Sequence, residues 1–247
     1  WFVDFDPVHA KQQGKECEGI DAENASLFPD SFESSELGEI PNGWRAGILG
    51  DCLDAVGGGT PDTKNMDYWE PGVHCWTTPK DLSSISSPVL LSTERKISDL
   101  GLAKIGSGLL PPGTLLLSSR APIGYMAITQ VPVAINQGYI AITPKSKIAP
   151  IYMFCWCKRN MELIKSVANG STFMEVSKKV FRQLPIVIPN KEIIDLFILS
   201  VNPLFNKIFL NQKQIVTLIQ LRDSLLPRLI SGQLRIEDAK LTVEGVY

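Results

Sequence analysis

After Pro189 the chain settles into one apolar seam, and no other feature narrows its possible folds as much. Ile194, Phe197, Val201, Leu204, Ile208, Asn211, Ile215, Leu218, Arg222 and Leu225 alternate steps of three and four, and eight of these ten are apolar. That spacing is the stripe of a coiled coil. Asn190 is placed to cap such a helix. Pro203 should kink it, and Pro227 should end it or nearly so. A helix over residues 191–226 is roughly 54 Å long at 1.5 Å per residue. Eight seam side chains at about 1.5–3 kcal/mol each represent on the order of 12–24 kcal/mol of gross burial that one helix cannot realise alone. The seam asks for a partner helix. The polar Asn211 would fix register at some loss of stability; the alternative is that it faces water where the helix bends.

The text upstream has a different style. With 247 residues, 44% of them apolar, the chain can bury a real core as one domain plus an extension. Residues 1–43 hold 2 basic against 10 acidic residues, net −8, and are broken by Gly14, Gly19, Pro29, Gly38, Pro41 and Gly43. They read as an acidic connector lying on other surfaces. From Trp44, short apolar runs separated by Gly and Pro predict strands at 73–77, 114–118, 124–129, 133–136, 139–143 and 184–188. Spacings of three and four predict a helix over 151–167, stopped by Asn169-Gly170, and a shorter helix over 173–182. The expected fold class is α+β: a mixed α/β domain at 44–190, a long coiled-coil-type α-helix with its C-terminal motif at 191–231, and a tail at 232–247. Trp1 is not an initiator, and the abrupt opening suggests a chain cut from something longer.

Charge supports this division. Residues 44–190 carry 15 basic against 10 acidic residues, net +5, although the whole chain has a net charge of −2. Phosphate attraction is local, screened within about 10 Å at 0.1 M salt, so the middle segment's excess is the one that bears on nucleic acid. No uninterrupted run of about 18 apolar residues occurs, which argues against a membrane span, and the first residues show no secretory pattern; a cytoplasmic protein is expected. The five cysteines, Cys17, Cys52, Cys75, Cys155 and Cys157, lack the paired knuckles of a zinc site. They read as buried free thiols, and no metal is expected.

Chemistry concentrates in Gly113-Thr-Leu-Leu-Leu-Ser-Ser-Arg-Ala-Pro-Ile-Gly124 and in Ala134-Ile-Asn-Gln-Gly138. An apolar strand runs into a tight loop with two hydroxyls and an arginine, and the next strand delivers an amide pair. Those groups suit a duplex: Arg forks onto guanine, Asn and Gln onto adenine, and Ser or Thr contacts a base or a phosphate. The competing reading of Ser-Ser-Arg is a solvated loop. Enzyme readings are weaker. Asn202-Pro-Leu-Phe205 resembles an amino-methyltransferase site but lacks its second Pro and any Gly-rich cofactor loop before it. Gly57-Gly-Gly-Thr60 lacks the Gly-Lys-Ser/Thr of a phosphate loop and reads as a tight turn. Pro61-Asp62 with Glu94-Arg-Lys96 resembles a Mg-dependent nuclease, in which Asp62 and Glu94 would hold the metal and Lys96 would assist the attacking water. That is the alternative function.

The order of the short motifs resembles a known family. Trp1-Phe-Val-Asp-Phe-Asp-Pro-Val8, Gly38-Glu-Ile-Pro-x-Gly-Trp44, Gly58-Gly-Thr-Pro61, Trp76-Thr-Thr78, Ser118-Ser-Arg-Ala-Pro-Ile-Gly-Tyr125, Asn136-Gln-Gly138, Gly170-Ser-Thr172 and Leu221-Arg-Asp-x-Leu-Leu-Pro-x-Leu-Ile-Ser-Gly232 look like the C-terminal half of the specificity subunit of a type I restriction–modification enzyme. The resemblance implies one target-recognition domain and one of two long helices, a non-catalytic chain that reads half of a split sequence in double-stranded DNA. It implies methyltransferase and restriction/translocase subunits as partners, which would carry S-adenosylmethionine, ATP and Mg²⁺; this chain would carry no cofactor. A lone half could also self-associate through its helix.

Within that frame the expected base readers are Arg120, Asn136 and Gln137. Thr78, Ser118, Ser119, Ser171 and Thr172 join them as loop contacts, and Lys80, Lys104, Lys178 and Lys179 are phosphate candidates against plain surface solvation. For Arg120 the rival role is locking its own loop. Helix pairing falls to Ile194, Phe197, Val201, Leu204, Ile208, Ile215, Leu218 and Leu225.

Overall fold

Residues 1–43 fold into structure that their irregular spacing conceals. In the computed structural model, which describes residues 1–85, 87–120, 122–144, 149–170 and 174–234, they form helices α1 (Asp6–Gln12) and α2 (Ala22–Ser26) and the hairpin β1 (Phe32–Ser35) with β2 (Gly38–Pro41). Asp21 caps α2, accepting from the Asn24 amide at 2.8 Å. Val8, Phe28 and Ile40 join Trp44, Ile193 and Leu196 in one buried cluster. The segment therefore supplies part of the core rather than an unpatterned connector. Its apolar residues are too widely spaced to show a period, and only contacts distant in sequence unite them.

The remaining elements follow as β3 (Arg45–Ile48), α3 (Leu49–Cys52), β4 (Leu53–Val56), β5 (His74–Thr77), α4 (Pro79–Ser83), β6 (Val89–Leu90), β7 (Arg95–Ile97), α5 (Asp99–Leu102), β8 (Leu115–Ser118), β9 (Met126–Thr129), β10 (Val133–Ile135), β11 (Tyr139–Pro144), α6 (Pro150–Arg159), α7 (Met161–Ser166), α8 (Lys178–Arg182), β12 (Pro185–Ile188) and α9 (Lys191–Ile230). The expected strands are present within one or two residues. The short β3, β4, β6 and β7 were not legible. A five-stranded sheet runs β4-β11-β8-β9-β6, a three-stranded sheet runs β10-β5-β7, and β12 pairs antiparallel with β3.

Strand β8 explains why its text is a solid apolar run instead of an alternation. Leu115, Leu116 and Leu117 are all fully buried. Successive side chains leave opposite faces of a strand, so both faces of β8 must be covered. Leu116 points into a cluster with Leu82, Leu110, Val133, Ile135 and Tyr139, while α6 packs against β8, β9 and β11. The helix expected over 151–167 divides at Asn160, whose side-chain amide donates to the Trp156 carbonyl at 2.9 Å. Such back-bonding competes with the helical ladder. Cys157 and Cys52 are the buried thiols, and Cys17, Cys75 and Cys155 are partly exposed. Burial pushes the Cys157 thiol well up, which makes it a small apolar filler. The second helix begins only at Lys178, capped by Ser177, which accepts from the Val180 amide at 3.2 Å; Phe173, its expected start, lies outside the described residues.

The architecture is α+β with a long C-terminal helix. Asn190 caps α9, accepting from the Ile193 amide at 3.1 Å. The chain divides into two units, Trp1–Leu204 and Phe205–Tyr247, so the boundary falls just past Pro203. Helix α9 continues through Pro227 to Ile230, where Gly232, at φ 73°, donates to the Leu229 carbonyl. The left-handed glycine, rather than the proline, stops it.

Candidate nucleic-acid interface

The loop after β8 is built around one hydroxyl. Ser118 Oγ donates to the Pro122 carbonyl at 2.8 Å and accepts from the amides of Gly124 at 3.0 Å and Tyr125 at 2.8 Å. Gly124 sits at φ 112°, where a side chain would be strained. Ser118 and Ser119 are both buried. They hold the turn and present no surface to a duplex, contrary to the expectation for these two residues. Ser119 ties the loop to its neighbours, its N–H donating to the Gly138 carbonyl and its carbonyl accepting from Val176, both at 2.9 Å.

Arg120 is the first loop residue to reach the surface. Its Nε lies 3.0 Å from Glu175 Oε2, and the side chains are 44% and 41% exposed. Arg120 and Glu175 also form a backbone bridge, and Glu175 forms a second with Asn169. The rival role of Arg120, bonding to carbonyls of its own loop, is replaced by an ion pair to another segment.

The amide pair sits in the adjoining turn. Asn136 donates its backbone N–H to the Thr77 carbonyl at 3.0 Å, and its Oδ1 accepts from the Gly138 amide at 2.9 Å. Gln137 Oε1 accepts from the Thr60 hydroxyl at 2.6 Å. The glycine turn is pressed onto this strand end: Gly59 donates to the Ile135 carbonyl at 2.9 Å, and a Cβ on Gly58 would stand 1.8 Å from that same oxygen. Only glycine fits there. Trp76 Nε1 donates to the Gly59 carbonyl at 3.2 Å. Trp76 is held in turn by Trp69, at 5.1 Å edge to face, and by Arg95, whose guanidinium lies 3.6 Å from the Trp69 ring centroid.

Thr78 caps α4. Asp81 Oδ2 accepts from the Thr78 amide at 2.7 Å and from its hydroxyl at 3.0 Å, so that hydroxyl is committed to the capping box. The buried Tyr139 hydroxyl donates to the Thr78 carbonyl beside Thr77. Burial holds the Tyr139 phenol far above its usual ionisation.

Thr78, Ser119, Arg120, Asn136 and Gln137 are thus brought together through Thr77, Gly138 and Glu175. Lys178 approaches the same region, its ammonium lying 2.9 Å from where a Gly57 Cβ would be, and Lys179 beside it is exposed. Lys80 faces Glu94 at 3.8 Å with both side chains mostly in water, a pairing of little energetic weight. Lys104 stands apart, over the Tyr68 ring at 5.6 Å. Ser171 and Thr172 lie outside the described residues. Sequence reasoning missed Glu175 and Thr60. Thr60 was visible only as the end of a turn, and Glu175 had no pattern around it.

The residues proposed for a nuclease have separate duties. Asp62 Oδ1 accepts from the Lys64 amide at 3.0 Å within its own turn, Glu94 faces Lys80, and the Lys96 stem covers Gly72. Among the described residues no group of three His, Cys, Asp or Glu side chains could hold a metal ion.

On α9 the seam splits between two uses. Ile194 and Phe197 are buried in the first unit, with the Phe197 ring edge-on to Phe2 at 5.0 Å and to Tyr152 at 5.1 Å. These two are withdrawn from helix pairing, because the first turns of α9 complete their own domain's core. Val201 and Leu225 are partly exposed. Leu204 at 67%, Ile208 at 40%, Ile215 at 47% and Leu218 at 49% stand exposed, and Leu210 and Ile219 extend the apolar surface past the seam. By length and composition this helix could cross a membrane, with a mean hydropathy of 1.6 over 18 residues. The absence of an unbroken apolar run therefore did not exclude a span; two charges among many apolar residues leave the average high. Four of its apolar residues, Ile193, Ile194, Leu196 and Phe197, are protein core.

The model of the type I restriction modification DNA specificity domain matches residues 41–227. The MjaIX type I restriction enzyme specificity subunit of Methanocaldococcus jannaschii is 34% identical over 163 residues, covering 65% of this chain and 38% of that protein. The HindI specificity subunit of Haemophilus influenzae is 26% identical over 95% of this chain and 59% of its own length. The HsdS subunit structure from Thermoanaerobacter tengcongensis superposes with a TM-score of 0.53 at 18% identity, covering 93% of this chain and 52% of that one. This chain thus spans about half the length of these relatives. With the domain match extending from β2 into the last turns of α9, the chain belongs to the type I restriction–modification DNA specificity family.

Proposed function

We propose that this chain reads one half of a bipartite sequence in double-stranded DNA and docks methyltransferase subunits of a type I restriction–modification assembly. The family match over residues 41–227 carries the proposal. The hydrogen-bonded surface around Arg120, Asn136 and Gln137 supports it, because these side chains are of the types that read base edges. Lys178 and Lys179 would contact phosphates beside them, with Lys80 and Lys104 as outlying contacts and Ser171 and Thr172 as further loop contacts. Residues 44–190 would be the target-recognition domain. The exposed apolar side chains of α9, Leu204, Ile208, Ile215 and Leu218 among them, would meet the partner subunits or the helix of a second copy. Methyl transfer from S-adenosylmethionine, and ATP- and Mg²⁺-dependent cleavage by a restriction/translocase subunit, would occur on those partners in the cytoplasm.

The test is co-expression with the methyltransferase subunit of a type I restriction–modification system from the same genome, followed by co-purification and mapping of methylated adenines. A shared split motif around the methylated adenines is the expected result. Methylation without a common motif, failure to co-purify, or DNA cleavage by the isolated chain with Mg²⁺ alone would overturn the proposal.

A further inference from the structure

Arg120, Asn136 and Gln137, at the centre of the candidate interface, each have an acceptor already engaged or a donor end left for a ligand. The Glu175 carboxylate meets Arg120 at Nε, 3.0 Å away, and so leaves the terminal Nη pair of the guanidinium for a ligand. Both ends of this ion pair are fixed by backbone. Glu175 exchanges two hydrogen bonds with Asn169, at 2.9 and 3.0 Å, and the neighbouring Val176 donates to the Ser119 carbonyl at 2.9 Å. The half-exposed pair is therefore an oriented fork and not two side chains that happen to meet.

The adjacent amides have the same polarity. The Asn136 Oδ1 is taken by the Gly138 N–H, a group that can only donate, so the amide assignment is fixed and its NH₂ is the free end. Gln137 Oε1 is likewise engaged by Thr60. An adenine fork needs the oxygen and the nitrogen of one amide together, whereas the major-groove edge of guanine presents two acceptors, N7 and O6. The arrangement opposes the adenine role that the residue types Asn and Gln suggest.

We infer that Arg120 reads a guanine through its Nη pair and that Glu175 is the positioning residue that aims it. The inference rests on the recognition role proposed above and names the base and the second residue. Removing the Glu175 charge then has two opposite effects. The fork loses its aim, so discrimination falls, while one negative charge leaves a surface that faces phosphates, so sequence-independent binding rises. A residue with a merely structural role would lower both.

The experiment selects random duplexes with the full chain bound to its methyltransferase subunits, comparing wild type, Arg120→Lys and Glu175→Gln. Glu175→Gln keeps the side chain's size, Arg120→Lys shortens it by one atom but keeps its charge, and both leave the backbone bridges intact. Wild type is expected to select guanine at one position by about 5- to 150-fold over other bases, the range of a bidentate contact. Arg120→Lys, which keeps the charge and loses the fork, removes that preference with the salt dependence unchanged. Glu175→Gln lowers the preference several-fold and strengthens non-specific binding. Unchanged guanine selection in Arg120→Lys, or sharper selection in Glu175→Gln, overturns the inference and leaves the recognition role standing. A wild-type complex that selects no common sequence sinks both.

Discussion

Gly58→Ala is the perturbation whose cost can be worked most directly from the structure. The new Cβ would lie 1.8 Å from the Ile135 carbonyl oxygen, 2.4 Å from its carbon and 2.6 Å from Ile135 Cγ1. Two of these are backbone atoms of a fully buried strand end, so the glycine turn must move instead. Overpacking of this kind costs about 1–3 kcal/mol. The movement also breaks the bond from Gly59 N–H to Ile135 and the bond from Trp76 to the Gly59 carbonyl, each worth about 0.5–1.5 kcal/mol. Together the loss is about 2–6 kcal/mol. Gly59→Ala is the control, because nothing lies within 4 Å of its Cβ position; it should cost under about 1 kcal/mol. Urea unfolding followed by tryptophan fluorescence reports the difference, since Trp76 leans on this turn. The turn also carries Thr60 and through it Gln137, so Gly58→Ala should weaken DNA selection as well. If both alanine variants unfold at the wild-type urea concentration, or if the two are equally destabilised, the close approach at Gly58 is not what holds the loop.

Three other outcomes follow from the same geometry. Ser118→Ala leaves the part-buried Tyr125 amide without its acceptor and takes one of two acceptors from the Gly124 amide, which keeps the Ser118 carbonyl at 3.1 Å, and should cost about 1–3 kcal/mol; because Ser118 makes no phosphate contact in this arrangement, the slope of DNA affinity against salt should not change. Tyr139→Phe removes the bond to Thr78 and should lower stability by about 1–3 kcal/mol at neutral pH. Burial raises the Tyr139 pKa in the folded state, so its contribution is complete below the unfolded value near 10 and is lost as pH rises above that; urea midpoints at pH 8 and pH 10.5 should converge in Tyr139→Phe relative to wild type. Ile208→Lys with Leu218→Lys, both at exposed positions of α9, should leave thermal stability of the first unit intact and abolish co-sedimentation with methyltransferase subunits; intact co-sedimentation would show that this face docks nothing.

How far the sequence could be read depended on whether its signals were local. The seam after Pro189 announced a helix, and Asn190 announced its start, because both depend on neighbours three or four residues away. The solid run Leu115–Ser118 announced a buried strand for the same reason. Pro227 marked the end only nearly, since a helix held by its other bonds can pass a proline and stop three residues on, at Ile230 before Gly232. Ser118 and Arg120 shared a motif but not a fate. One turned inward to clamp the loop, and the other turned outward to meet Glu175.

By itself, then, the order of residues determined the class of the protein: a basic mixed domain followed by an amphipathic helix, with a family's motifs in sequence from Trp1 to Gly232. Propensity, period and capping are short-range, and they survive in a linear text. Only the tertiary structure decided that Val8 and Phe28 are core, that Ile194 and Phe197 belong to the domain and not to a partner, and that Thr60, Asn136, Gln137, Arg120 and Glu175 share one surface. Those contacts join residues far apart in the chain: 55 positions for Arg120 and Glu175, 77 for Thr60 and Gln137, and 195 for Phe2 and Phe197. No local rule specifies them, because each is chosen by which buried surfaces and backbone donors find one another once the strands have paired.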